Sequence, residues 1–152
     1  MTKTQVVSLD WEAVHRDTLK LASQIARVGT FTGIIAVARG GLIPAGILAS
    51  ALGIRRLDTI CLSSYEGKQR GELRVIKSMT GDGAGWLIID ELSDTGATAK
   101  AVKAMLPEAY MAVVYAKPEG LIEVDDYAEL YAQDTWLVFP WETSEEDVEL
   151  CS

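Results

Sequence analysis

Cysteine is scarce. Only Cys61 and Cys151 occur in 152 residues, so a disulfide framework is excluded. Cys61 lies in an apolar, β-branched run and reads as a buried small hydrophobe, while Cys151 belongs to the terminus. His15 is the single histidine, and no His or Cys spacing suits a zinc site. Positive charge is also short: 14 Lys and Arg face 22 Asp and Glu, a net charge of −8. That balance argues against non-specific nucleic-acid binding, which needs a basic face, but leaves room for a local basic pocket for phosphates. Long apolar runs are missing. The least polar stretch, Gly33 to Ile54, is broken by Arg39, Gly40, Gly41 and Pro44, so it reads as strand, turn and helix rather than a membrane span. The opening MTKTQVVSLDW has no signal-peptide apolar region, which gives the expectation of a cytoplasmic chain. Neither a Walker loop nor Gly-x-Gly-x-x-Gly is present.

What is present is ordinary for a globular protein: 49% hydrophobic and 24% charged residues. No repeat or second domain is visible, so residues 1–152 are expected to form one domain. Residues 142–152 hold five acids and form an acidic tail, expected to be solvated or frayed. Trp11, Val14, Thr18, Leu21, Ile25 and Val28 recur at spacings of three and four, one face of an amphipathic helix. Ser8 or Asp10 can cap it, and Gly29 sits at its end. His15 falls on this helix, which gives it no chemical role. Gly33 to Ala38 reads as a buried strand, followed by Arg39-Gly40-Gly41 and a helix from Leu42 to Leu52 that packs through Ile43, Ile47, Leu48 and Ala51. Leu57–Ser63 and Leu73–Ile76 can form a hairpin around the polar, glycine-punctuated stretch from Ser64 to Glu72. Met111 to Ala116 is a further buried strand, with Lys117-Pro118 at its carboxyl edge.

The chain is organised around Trp86–Ala104. An apolar strand, Trp86 to Ile89, turns acidic at Asp90 and Glu91. Ser93-Asp94-Thr95-Gly96-Ala97-Thr98 follows, then a helix-forming run. Strand, small polar loop and helix start together present backbone N–H groups to an anion. Asp94, Thr95 and Thr98 are N-cap candidates. Two adjacent carboxylates beside such a cradle suggest a divalent metal and a sugar rather than a nucleoside triphosphate.

This segment resembles the phosphoribosyl diphosphate (PRPP) motif of type I phosphoribosyltransferases: apolar strand, two acids, spacer, then Thr-Gly-x-Thr. GIIAVARGGLIP, DTICLSSY, IIDELSDTGATA, AKP, VDDY and QDTW, in that order, extend the likeness from about Val7 to Trp141, toward the purine branch of the family. The resemblance implies an α/β fold: a twisted, mostly parallel sheet flanked by helices, with a small hood and a flexible flap. It implies transfer of the 5-phosphoribosyl group from PRPP, with Mg2+, to a 6-oxopurine such as guanine, xanthine or, more weakly, hypoxanthine. By position, Asp94, Thr95, Gly96, Ala97 and Thr98 would hold the 5′-phosphate. Asp90 and Glu91 would serve the ribose hydroxyls and the magnesium. Arg39 and Gly40 would hold pyrophosphate, in this family often through a cis peptide there. Lys117 would meet the 6-oxo group, Trp136 would stack on the purine, and Leu137 would offer its backbone to the base edge. Asp94 would also face N7 and help move its proton. A homo-oligomer, tetramer or dimer, is implied, and weak peripheral association with the inner membrane face is left open.

Two positions depart from the family pattern. The second acid, usually Asp in near relatives, is Glu91, and the flap arginine is displaced to Arg70 by Gly71. The rival reading is a phosphoribosyltransferase-like regulator that binds nucleotide without turnover. The sequence ranks neither the three oxopurines nor dimer against tetramer.

Overall fold

The computed structural model describes residues 3–64, 73–143 and 145–150. Strand β1 (Gln5–Ser8) leads to helix α1 (Trp11–Val28), β2 (Gly33–Ala38), α2 (Leu42–Leu52), β3 (Leu57–Ser64) and β4 (Leu73–Lys77). Then come β5 (Trp86–Ser93), α3 (Ala97–Met105), β6 (Tyr110–Ala116), a 3-10 turn (Pro118–Gly120), β7 (Asp126–Leu130), β8 (Thr135–Val138) and α4 (Glu145–Glu149). Six strands form one sheet in the order β4-β3-β2-β5-β6-β7. All neighbours are parallel except the β3–β4 hairpin.

The sheet is buried on both faces, which is why its strands read as continuous apolar runs. Successive side chains point to opposite faces. Ile34, Ala36, Leu87, Ile89, Ala112 and Val114 pack with Val14, Leu21, Ile25, Ala45 and Leu48 of α1 and α2. Ile35, Val37, Ile88, Met111 and Val113 pack with Ala99, Val102 and Leu106 on the α3 side. Opposite faces follow from topology. From β2 the chain crosses to β3 on one side, from β5 to β6 on the other, and a common crossover hand puts α2 and α3 on different faces. Each fully buried Leu or Ile contributes about 1.5–3 kcal/mol.

Asp10 caps α1, its Oδ1 accepting the Ala13 N–H at 2.8 Å. The stripe is buried from Val14 to Ile25, but Trp11 and Val28 at its ends are exposed. In α2 the buried side chains are Pro44, Ala45 and Leu48, and Ala51, expected to pack, is exposed. Ala45, with Leu48, is the side that packs into the core against the sheet. A second, two-stranded layer pairs β1 with β8 in parallel, the expected hood. It is pinned by Leu9 N–H donating to Val138 O at 2.8 Å and by Phe139 stacked on Trp141 at 4.8 Å. The tail contains a short exposed helix, α4. Of the expected flap, Ser64 to Glu72, Ser64 is the last residue of β3 and the rest lies outside the described residues. No described helix is long and apolar enough to cross a membrane.

Candidate functional site

Strand β2 pairs with both β3 and β5, and the connections leaving β2 and β5 run to opposite sides. Their diverging loops open a crevice above the carboxyl ends of the two strands, where open α/β sheets bind ligands. A cavity of about 1020 Å3 lies there. Arg39, Gly40, Glu91, Asp94, Lys117, Trp136 and Leu137 all line it.

Strand β5 does not stop at Ile89 as the sequence suggested; it continues to Ser93, pairing Asp90 with Val113 and Leu92 with Tyr115 of β6. The acids are therefore held on a rigid strand, not a loop. Asp90 is 6% exposed, and its Oδ1 accepts the Glu91 N–H at 2.9 Å. Burial, and then the neighbouring Glu91 charge, push the Asp90 carboxyl well above its usual range. Burial likewise pushes Glu91 up to about 7. Buried Glu91 Oε2 has no hydrogen-bond partner among the described residues. A Cβ on Gly40 would lie 1.1 Å from that oxygen, so the loop after β2 closes on the acid and any side chain there would push the Glu91 carboxylate aside. The peptide bond between Ala38 and Arg39 is cis, one bond before the segment expected from the resemblance. A buried carboxylate beside a half-buried one with an orphaned oxygen suits a hard divalent cation that keeps waters and takes substrate oxygens. Among the described residues no group of three or more His, Cys, Asp or Glu forms a protein-only metal cage.

The helix after β5 begins differently from expectation. Gly96, not Asp94, Thr95 or Thr98, is the N-cap of α3, with φ +86° and no side-chain cap bond. Thr95 Oγ1 makes only a long contact, 3.4 Å, with the Ala97 N–H. With no cap from the Gly96 position, the start of α3 is the kind of helix N-terminus that takes an anion. Gly96 also packs close to the 3-10 turn, where a Cβ would meet Glu119 O at 3.3 Å.

Lys117, at the end of β6, is 4% exposed, and its Nζ lies 3.2 Å from Asp94 Oδ2. The two strand ends are tied together. Lys117 N–H donates to Ser93 O at 3.0 Å, and Ser93 Oγ donates to Gly120 O at 2.7 Å. Across the cavity, β8 presents Trp136, 61% exposed, beside buried Leu137. A flat aromatic face and a buried ammonium thus border one space, with a helix start and an acid pair alongside.

The cavity brings together Arg39, Gly40, Glu91, Asp94, Lys117, Trp136 and Leu137; Asp90, next to Glu91 on β5, and Thr95, Gly96, Ala97 and Thr98, which follow Asp94, do not line it. Arg70 lies outside the described residues. Cys61 is half-buried on the cavity wall rather than a core hydrophobe, because its strand end opens onto the crevice. The sequence reading assigns nothing to Gln133 or Ser93, which bond across loops; the QDTW run is the only signal for the first.

The family pattern described as "Phosphoribosyl transferase domain" matches residues 9–147. The chain is 49% identical over 138 residues to the xanthine-guanine phosphoribosyltransferase of Chromohalobacter salexigens, covering 91% of this chain and 85% of that protein. It is 48% identical over 136 residues to the protein of the same name from Desulfotalea psychrophila, covering 89% and 85%. Among solved structures, the purine phosphoribosyltransferase from Pyrococcus horikoshii superposes with a TM-score of 0.79 at 32% identity, covering 91% of this chain and 95% of the other. The Helicobacter pylori xanthine-guanine-hypoxanthine phosphoribosyltransferase gives 0.78 at 22% identity, a likeness of fold, with 96% and 99% covered.

Proposed function

The chain belongs to the phosphoribosyltransferase family, and within it we propose a purine-salvage enzyme that transfers the 5-phosphoribosyl group of PRPP to a 6-oxopurine, releasing pyrophosphate. Its fold is the α/β type I phosphoribosyltransferase fold. The observation that carries the choice of base is Lys117: a donor-only ammonium, 4% exposed, at the cavity that Trp136 also lines. A 6-oxo oxygen can replace Asp94 as its partner, whereas a 6-amino group cannot. Guanine, xanthine and, more weakly, hypoxanthine fit this chemistry.

In this reading the 5′-phosphate sits on the N–H groups of residues 95–98, where the helix start favours negative charge. Arg39 and the Gly40 backbone hold the pyrophosphate. Asp90 and Glu91 orient the ribose hydroxyls and hold Mg2+, which when bound supplies positive charge against the leaving pyrophosphate. Trp136 stacks on the base, Leu137 offers its backbone to the base edge, and Asp94 receives the proton at N7. The base nitrogen attacks C1′ on the face opposite pyrophosphate, through an oxocarbenium-like ribose. Rate enhancement then comes from positioning and fixed charge. Residues 1–152 act as one domain with an acidic tail at 142–152. A cytoplasmic location and a homo-oligomer, dimer or tetramer, go with this reading. A regulator without turnover is not favoured, because the curated relatives spanning about nine-tenths of the chain are named as transferases.

The test is direct: incubate the protein with PRPP, Mg2+ and each of guanine, xanthine, hypoxanthine and adenine, and follow nucleotide and pyrophosphate. Formation of oxopurine nucleotides with little adenine product is expected. Binding of PRPP with no turnover on any base would overturn the assignment.

A further inference from the structure

We propose that Gln133 is a positioning residue for the transfer reaction, holding Asp94 in register with the base-reading turn through its side-chain amide. The inference rests on the functional reading above. Gln133 Oε1 accepts the Glu119 N–H at 3.0 Å. Its Nε2 donates to Asp94 Oδ1 at 2.9 Å and to Asp94 O at 3.2 Å. The orientation is fixed by chemistry: both Asp94 atoms are acceptors, and the Glu119 N–H is a donor, so a flipped amide would lose all three bonds. One side chain thus bridges the loop after β5 and the turn after β6.

Asp94 Oδ2 is meanwhile paired with Lys117 Nζ at 3.2 Å. Without base, both carboxylate oxygens have donors. When a 6-oxopurine takes over Lys117, Oδ2 is released toward the base and Gln133 alone still orients the carboxylate from Oδ1. Gln133 therefore keeps Asp94 aimed while Lys117 changes partner. Ser93 and Gly120 brace the same two loops from below, through a 2.7 Å bond, but do not touch the Asp94 carboxylate.

The charged groups around Gln133 are Asp94, with Lys117 beyond it, and Glu119 and Asp134 on its flanks. Glutamate is the informative replacement. One oxygen of the introduced carboxyl group still accepts from the Glu119 N–H, but the other donates to Asp94 only when protonated, and the Asp94 charge raises its pKa. Loss of a hydrogen bond to a charged group predicts a fall in kcat/KM for the base of about 10- to 100-fold in Gln133→Ala. The KM for PRPP should move less. Gln133→Glu should match the alanine variant near pH 8 and recover as pH falls through the new carboxyl's titration, a recovery absent from Gln133→Ala. An alanine variant within about twofold of the parent, or a glutamate variant whose deficit does not change with pH, would overturn the proposal. The side-chain amide of Gln133 gives a readout without turnover: its NMR resonance should shift in Asp94→Ala of the ligand-free protein. An unshifted amide would overturn the clamp even if the parent transfers, and a shifted amide in a parent that transfers to no purine would instead fault the functional reading.

Discussion

Replacing Glu91 by glutamine should stabilise the ligand-free protein at neutral and alkaline pH while weakening its hold on PRPP and magnesium. Burial moves the Glu91 carboxyl from 4.5 to about 7 in the folded chain. A folded-state pKa above the unfolded value means that the folded chain binds the proton more tightly. Its contribution is fully present below about pH 4.5, and it fades as pH rises, until above about pH 7 ionisation of the acid in place is a full penalty. The interval of about 2.5 units corresponds to about 3 kcal/mol, taken once because Asp90 and Glu91 compete over the same charge. Glu91→Gln removes that penalty. The new amide places a donor or acceptor where Glu91 Oε2 now has no partner among the described residues, and leaving that group unsatisfied returns about 1 kcal/mol. About 2 kcal/mol remains, or about 4–8 °C in Tm for a chain of this length.

Thermal unfolding of parent and Glu91→Gln should be followed without ligand from about pH 5 to about pH 8.5, where the two pKa values separate the curves. The variant should be less stable by about 1 kcal/mol at the acid end, and the curves should cross and diverge through neutrality in its favour. Calorimetric titration at alkaline pH should show the opposite ranking for PRPP with Mg2+. A Tm difference that does not change with pH, or a variant less stable throughout, would refute the argument that the acid pair is strained by its burial.

Three other substitutions test the remaining parts of the site. Lys117→Ala should erase the preference for oxopurines over adenine, which a buried polar mismatch can set at up to ~10⁴-fold; unchanged kcat/KM for all four bases would show that Lys117 does not read the base. Gly40→Ala places a Cβ 1.1 Å from Glu91 Oε2, must push that carboxylate aside and should weaken binding of PRPP with Mg2+ with little change in circular dichroism; unchanged affinity would show that the Glu91 position does not matter to binding. In Gly96→Val a β-branched residue must adopt φ +86° beside Glu119 O, a strain of ~1–3 kcal/mol. A lowered Tm and loss of PRPP affinity are expected, and normal affinity in the folded variant argues against a phosphate cradle there.

The parts of this protein legible in its sequence are those whose signal is local. The α1 stripe, the GIIAVA strand and the strand–loop–helix around Asp90 to Thr98 each carry their own periodicity or punctuation, and each element forms. Strand β7 is not legible, because Asp125 and Asp126 hide its apolar side. Their carboxylates find partners far away, in the Met111 N–H and the Gln24 amide. The length of β5 is hidden for the same reason: Asp90 and Glu91 look like a loop until β6 is alongside to pair with them. The N-cap of α3 escapes because a polar side chain that could cap is indistinguishable, in sequence, from one left facing a ligand. Such contacts depend on sheet order. Ser93 and Gly120 meet because β5 and β6 are neighbours and their ends lie level, and Asp94 meets Gln133, in the loop from β7 to β8, because β7 lies beside β6 in turn. Sequence therefore points to residues able to bind phosphate, metal and base, whereas the bonds that hold them at working distance come from the order of the strands. That is why the roles of Asp94 and Lys117 can be expected from a motif, but the amide that holds the Asp94 carboxylate from its other side cannot.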